Sequence, residues 1–428
     1  MATSLLLLLG LFLVLIIIRI PIAFAMLIIA ALYLMIANVP LLLLAQKVVG
    51  GVDSFSLLAV PLFLLAGFLM NTMGITERIF AFAGTLVRHI PGGLGHVNVL
   101  ASVIFAGMSG SIIADAGGLG AVEIKAMREA GYRDRFSAAI TAASALIGPI
   151  IPPSIIMVIY SFVTEVSIGR MFLAGLIPGL MMAASMMILI YIMAEMGQEE
   201  CPVLPRASLR ELGSAFHGAI LPILAPVILV AGIMSGIFTP TEAGVVAVLY
   251  VLAIGVFLLR FRLSHIIHAT KEAARATAAT LFIIAAASVF TWIVSTANIP
   301  EIFSQFVSGW VSTKLGVFMV IIVSVLVLGM VMEGLPILII FGPIFLNLAT
   351  HVGIDPVHLG IVFIMTIMIG GITPPVGITL YVVMAIAKVP LPDFMRSIWP
   401  FYFAILTVIL LIVLFPWLCL WLPDMIFG

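Results

Sequence analysis

The chain has 428 residues, of which 64% are hydrophobic and only 8% charged; its mean hydropathy is +1.38 and its formal net charge zero. A soluble globular domain carries about 25% charged residues, so this composition excludes a soluble core, and the neutral balance gives no footprint for nucleic acid. Two cysteines, Cys201 and Cys419, supply neither a disulfide framework nor a metal site, and P-loop, CxxC, HExxH and GxSxG motifs are absent.

The apolar runs are continuous rather than alternating, which predicts an all-α polytopic membrane protein and not a β-barrel. The N-terminus, "MATSLLLLLGLFLVLIII", has no basic n-region and no small-residue cleavage site, so it reads as a retained helix. Charge clusters then mark loops at 46–56, 74–95, 123–136, 196–214, 236–243, 260–276, 296–315, 351–358 and 386–397, with spans of roughly 20 apolar residues between most of them. Two stretches, 95–124 and 316–349, carry a polar, glycine-containing break in their middle. They are predicted to be re-entrant hairpins, since such backbone is tolerated in a membrane only where protein or a water-filled cavity lines it. Two further stretches, 137–165 and 359–386, contain "GPIIPP" and "GGITPP". Proline removes a backbone donor and breaks a helix interior, so Pro152-Pro153 and Pro374-Pro375 predict two broken helices.

These features recur at one interval. Gly107-Met108 and Gly329-Met330 are 222 residues apart, as are Gly131 and Gly353, Gly148 and Gly370, Phe172 and Phe394, and Pro178 and Pro400. That makes an internal repeat, with boundaries at 1–212 and 213–428. The loop after the first hairpin carries Lys125, Arg128, Arg133 and Arg135, whereas its counterpart at 351–358 carries no Lys or Arg. By the positive-inside rule the first faces the cytoplasm and the second faces out, so the two repeats are inverted. Inverted repeats with broken helices are the pattern of secondary transporters.

Several residues in the breaks carry candidate chemistry. "MSGSIIAD" (108–115) offers the hydroxyls of Ser109 and Ser111 and glycine carbonyls, which suit a hard cation such as Na⁺. Asp115 lies four residues after Ser111; a membrane-buried acid is a functional candidate, with a helix-to-helix hydrogen bond as the alternative. Glu333, at the second hairpin tip, is a cation ligand, a proton carrier or a cap. Ser154 and Thr373 flank the proline pairs, although such hydroxyls often bond only their own backbone. No Lys or Arg lies in any break, and no chain of buried acids is evident, which favours Na⁺ over H⁺ as coupling ion. In "GIFTPTEAG" (236–244), Thr241 and Glu242 read as helix-start residues.

Together "RIPIAFAM" (19–26), "AVPLFLLAGFLM" (59–70), "FAGMSGSIIAD" (105–115), "GPIIPPS" (148–154), "GIFTPTEAG" and "GGITPPVG" (370–377) resemble the large membrane subunit of tripartite ATP-independent periplasmic (TRAP) transporters over nearly the whole chain. The resemblance implies an elevator-type fold like that of the ion transporter superfamily, in which the two hairpins and two broken helices form a transport domain that slides against a scaffold of the remaining helices. It also implies two Na⁺ sites, one at Ser109, Ser111, Gly148 and Pro152 and one at Gly329, Glu333, Gly370 and Thr373. Asp115, Ser154 and Thr373 are the substrate-binding candidates, and no organic cofactor is expected. The implied partners are a small four-helix membrane subunit, expected as a separate polypeptide, and a soluble periplasmic binding protein that docks on external loops, with Thr239, Thr241 and Glu242 as candidates. The reading is a non-enzymatic, Na⁺-coupled importer of an organic acid anion (a C4-dicarboxylate, sialic acid or another carboxylate) in the bacterial inner membrane. A stand-alone divalent-anion/Na⁺ symporter of related fold is the alternative. Channel, pump and intramembrane enzyme fit less well, because occluding hairpins replace a pore, nucleotide motifs are missing, and Asp115 and Glu333 occupy non-equivalent repeat positions.

Overall fold

The computed structural model describes residues 10–12, 14–16, 18, 20–110, 112, 115–199, 201–258, 262–375 and 377–428, with backbone alone at 108, 109 and 258. Most of the predicted N-terminal helix segment lies outside them. Among the described residues every regular element is helical.

Three helices open the chain: α1 (Ile22–Ile36), α2 (Leu42–Gly50) and α3 (Ala59–Thr72). A first set follows: α4 (Ile75–Val87), α5 (Gly93–Ser109), a π turn (Asp115–Leu119) running into α6 (Gly120–Glu129), α7 (Asp134–Ser144), α8 (Ile155–Thr164) and α9 (Ile168–Glu195). The middle holds α10 (Leu209–Met234), α11 (Pro240–Ala253) and α12 (Leu263–Thr296). A second set is α13 (Ile299–Ser308), α14 (Lys314–Gly329), α15 (Gly334–His351), α16 (Pro356–Gly370), α17 (Ile378–Ala387) and α18 (Leu391–Leu414), with α19 (Trp417–Phe427) closing the chain. Seven of the described segments are long and apolar enough to cross a membrane: 55–72, α9, α10, 240–257, α12, α15 and α18. The 34 residues of α12 rise about 50 Å, more than a hydrocarbon core of roughly 30 Å requires.

The backbone reuses its corners. Gly74 and Asn298, Gly131 and Gly353, and Glu165 and Lys388 all adopt positive φ, between 52° and 91°. The members of each pair stand 222 to 224 residues apart and end or begin equivalent helices. The long helices α9 and α18 each carry an interior proline, Pro178 and Pro400. Both proline pairs, Pro152-Pro153 and Pro374-Pro375, are joined by cis peptide bonds.

Packing crosses between the two sets. Helix α8 lies on α15 and α16 of the second set, while α17 lies on α6 and α7 of the first. Helix α7 packs on α18 and α16 on α9. Every residue of α16 from Val357 to Gly370 is buried, as expected of an apolar helix at the centre of a bundle. Tyr160 of α8 donates to the Pro356 carbonyl at 2.7 Å, tying one set to the first turn of the other. Around this body, α3 packs against α11 and α12, and α12 also packs on α1, α2 and α15.

Five predicted loops differ from the structure; one of them, 260–276, is helical from Leu263 onwards because its spaced charges lie along the first turns of α12. The end of helix α2 occupies 46–50 of the stretch 46–56, and the stretches 74–95 and 296–315 contain α4 and α13. Both are short amphipathic helices; Glu77 and Arg78 of the first are exposed, and Glu301 of the second is half-buried beside His351 at 3.6 Å; a charge count reads such a helix as a loop. The fifth, 123–136, is mostly the end of α6 and the start of α7, and its first residue, Glu123, is fully buried.

Candidate functional site

Both helix breaks meet a hairpin. The first set runs α7 to Ser144, a 3-10 turn to Ile147, then a non-helical stretch until α8 begins at Ile155. Here the C-terminal end of α5 arrives: Gly110 has φ 56°, and a Cβ on it would stand 2.5 Å from the Pro153 carbonyl oxygen. In the second set α14 meets α16 backbone to backbone; a Cβ on Gly329 would lie 2.8 Å from the Gly370 Cα. These glycines are needed because the helix ends approach more closely than a side chain allows.

Between the breaks lies a cavity of about 500 Å³. Its walls are the first hairpin (Gly110, Gly117, Gly118), the second (Gly329, Glu333, Gly334), the breaks (Pro149, Gly370, Gly371, Gly377) and, from outside the two sets, Asn71 of α3 and Thr280 of α12. Three helices begin at this wall: α8 through Ile155 and Ile156, α15 through Gly334 and Leu335, and α17 through Ile378 and Thr379. The first N–H groups of a helix have no partner within it and carry a partial positive charge. No side chain caps α15 or α17. The cavity is lined without any Lys or Arg, and Glu333 is its one charged group among the described lining residues.

The sequence candidates divide on this geometry. Gly329, Glu333 and Gly370 come together on the cavity wall. Glu333 stands at the N-cap of α15, but its carboxylate accepts no backbone N–H, so the capping alternative is not what the structure shows. Thr373 is beside the wall rather than on it; its hydroxyl donates to the Ile369 carbonyl at 2.7 Å and lies 3.4 Å from the Tyr402 hydroxyl, which itself donates to the Ile372 carbonyl. Gly148 and Pro152 are buried in the first break. Ser109 ends α5 and Ser111 lies outside the described residues.

Two substrate candidates point elsewhere. Ser154 is the N-cap of α8, accepting from Met157 N–H at 3.3 Å and donating to the Pro149 carbonyl at 2.6 Å. Both bonds are local, as the alternative reading of such hydroxyls expects. Asp115 is buried away from the cavity, where Ser102 of α5 donates to its Oδ1 at 3.3 Å. Of the docking candidates, Thr239 and Glu242 are exposed and form a capping box. Thr239, not Thr241, is the cap, and Thr241 is buried with its hydroxyl donated to the Phe55 carbonyl at 3.0 Å. The sequence reading missed Asn71, Thr280 and Glu123. The first two are single polar residues on apolar helices; Asn71 directly follows the quoted "AVPLFLLAGFLM" run.

Two helix–turn–helix hairpins, two interrupted helices and a cavity between them describe a membrane protein with a candidate internal binding site. The family model for the DctM component of tripartite ATP-independent periplasmic transporters matches residues 9–418. The chain is 42% identical to the sialic acid TRAP transporter large permease protein SiaM of Vibrio cholerae, over 95% of this chain and 96% of that one. It is 37% identical to the 2,3-diketo-L-gulonate large permease protein YiaN of Escherichia coli (93% and 94%) and 38% identical to the C4-dicarboxylate large permease protein DctM of Pseudomonas aeruginosa (89% and 89%). In structure it is similar to the YdaH transporter of Alcanivorax borkumensis, with a TM-score of 0.58 over 89% of this chain and 88% of that one at 15% identity, a likeness of fold. The chain belongs to the DctM family of TRAP transporter large permeases. It is accordingly a multi-pass inner-membrane transporter subunit rather than an enzyme.

Proposed function

We propose that this permease imports an organic acid anion coupled to Na⁺, the two sets of helices forming inverted repeats whose hairpins and broken helices move as one body against a scaffold. The observation that carries this reading is the cavity itself, where three helix starts and a single carboxylate share a wall that has no basic side chain. Uncapped N–H groups are donors for a carboxylate. Glu333 beside them repels the same carboxylate unless a cation neutralises it, so an anion and a cation bind best together. A cation at Glu333 has the Gly329 and Gly370 backbones for neighbours, and Gly148 and Pro152 with Ser109 and Ser111 provide the corresponding oxygens in the first set. The cavity also spans the boundary a moving body requires: Asn71 and Thr280 belong to α3 and α12, the rest of the named wall to the hairpins and breaks.

The curated relatives are named for sialic acid, 2,3-diketo-L-gulonate and C4-dicarboxylates, all acids, which supports an organic acid as substrate. A small membrane subunit and a periplasmic binding protein are the partners we assign, with exposed Thr239 and Glu242 in the docking surface.

Uptake in proteoliposomes tests the whole reading. The chain is reconstituted with a small subunit, and a binding protein carries a radiolabelled organic acid. Uptake that requires both the binding protein and an inward Na⁺ gradient is expected, with Ser109→Ala and Thr373→Ala losing Na⁺ dependence. Uptake without the binding protein indicates a stand-alone symporter; uptake driven equally by a proton gradient alone overturns Na⁺ coupling.

A further inference from the structure

The cavity has a neutral face to which the import reading gives no ligand. Helix α3 turns Leu64, Phe68 and Asn71 to the cavity, and α12 turns Ala276, Thr280 and Ile283. Both triplets are spaced i, i+4, i+7, which places each on one side of its helix, and the two helices pack on each other. Asn71 and Thr280 are the polar members of the triplets; Glu333 and Thr379 are the other polar side chains among the described lining residues.

Both residues hold unused hydrogen-bonding groups at the wall. Buried Thr76 donates to Asn71 Oδ1 at 3.3 Å, while the Asn71 amide N–H groups have no partner among the described residues. The carboxamide lies against the first hairpin: a Cβ on Gly118 would stand 2.6 Å from its Nδ2 and 2.7 Å from its Oδ1. Glycine at 118 is what makes room for the amide there. On α12 the hydroxyls of Thr270 and Thr296 donate to the carbonyls four residues back, at 2.8 and 2.7 Å, a usual bond for such a side chain in a helix. Thr280 makes no such bond among the described residues, so its hydroxyl is available to a ligand.

We propose that Asn71 and Thr280 are specificity-determining residues that hydrogen-bond uncharged oxygens of the substrate, so that this permease favours a hydroxylated monocarboxylate over a plain dicarboxylate. The inference rests on the organic-acid reading above and adds the substrate class. One carboxylate of the substrate meets the uncapped helix starts, and the rest of the molecule meets the α3 and α12 face. An amide and a hydroxyl each both donate and accept, which matches hydroxyl and carbonyl oxygens. A second carboxylate on this face would be desolvated beside Leu64, Phe68 and Ile283, with no Lys or Arg among the described lining residues, and a buried charge without a partner is strongly unfavourable. A substrate chain without oxygens would leave Asn71 and Thr280 unpaired, which is how a site built for hydrogen bonds rejects analogues that lack them. The volume agrees: about 500 Å³ falls within the roughly 300–1,000 Å³ of pockets for drug-sized ligands, more than a four-carbon diacid needs.

The test reads binding rather than uptake. The full chain, purified in detergent with Na⁺ present, is heated while sialic acid, D-gluconate or succinate is raised in concentration; a ligand that binds the folded state raises the melting temperature according to its Kd. At least one of the two hydroxylated acids is expected to bind more tightly than succinate. Asn71→Ala and Thr280→Val are each expected to weaken that acid several-fold to about tenfold, cutting its advantage over succinate, and Thr280→Ser, which keeps the hydroxyl, to restore it. A merely structural role would not move this ratio, because lost packing weakens all acids alike. Thr280→Val keeps the shape of the side chain and carries the test should Asn71→Ala fail to fold. Succinate binding as tightly as both hydroxylated acids overturns the inference, as do variants that leave the ratio unchanged; in either case the organic-acid reading stands. No stabilisation by any of the three acids overturns that reading and the inference with it.

Discussion

At the scale of single residues, close approach decides what is tolerated. Gly110 combines a left-handed backbone with contact to the Pro153 carbonyl. Gly110→Ala is expected to cost at least about 1–2 kcal/mol from the backbone conformation alone, visible as a lower melting temperature in detergent. Gly218, on α10 with nothing within 4 Å of a would-be Cβ, is the control; Gly218→Ala should be neutral or stabilising by up to about 1 kcal/mol. A drop of similar size at both positions would contradict the close-approach explanation. Cys201 gives a pH prediction outside the spans. Burial, with the charge of Glu199 added, pushes its thiol up to about 11. The thiolate is the nucleophile, so maleimide labelling of Cys201 should be slow at neutral pH and accelerate tenfold per unit as pH rises towards that value. Rapid labelling at pH 7 would show the loop to be open in solution.

At the scale of elements, the helix starts carry the most information. Helix α8 begins where Ser154 caps it, and a lost cap costs about 1 kcal/mol. Ser154→Ala is therefore expected to lower stability by that amount and leave the apparent affinity for substrate unchanged, read from uptake at graded substrate concentrations. A variant of wild-type stability with weakened affinity would return Ser154 to the substrate site. Helices α15 and α17 start without side-chain caps, at the cavity. The first donors of a helix have no partner within it; many helices here start uncapped, and it is the position of these two starts on the cavity wall, beside the capped start of α8, that makes them candidates for binding. The hairpins also differ from each other: α14 turns to α15 through Met330 to Glu333, whereas the first hairpin returns through the π turn that positions Asp115.

At the scale of the molecule, the two sets hold each other. Each broken helix packs its second half on the opposite set, so neither set is a separable domain in the sense of a covalent cut near residue 212. Arg128, between the hairpin and α7, also donates to the Ala387 carbonyl at the end of α17 at 2.8 Å, adding a cross-set tie. Inversion of the repeats predicts opposite sides for equivalent corners. With Cys201 and Cys419 replaced, Lys125→Cys should label with an impermeant maleimide only from the cytoplasmic side, and His351→Cys only from the periplasmic side. Labelling of both from one side would refute the inversion.

The order of elements was legible in the sequence because its signals are local and chemical. Proline pairs break helices, and glycine marks the corners at 131 and 353. The 222-residue interval, read from Gly107, Gly148 and Pro178 and their partners, therefore carried the pattern of breaks and hairpins without coordinates. Capping chemistry was partly legible: Glu242 was found, but the cap was assigned to Thr241 instead of Thr239, because either threonine has the right chemistry and only the first helical dihedral decides. What tertiary structure alone decided is which way a polar side chain faces. Asp115 and Ser154 stand within a few residues of the cavity wall yet turn from it, while Asn71 and Thr280, distant in sequence, turn to it. Glu123 looked like the first charge of a loop and is instead fully buried. Local propensity fixes where a helix starts and stops; the rotation of each helix about its axis is set by packing against partners hundreds of residues away, and a site is assembled from those rotations.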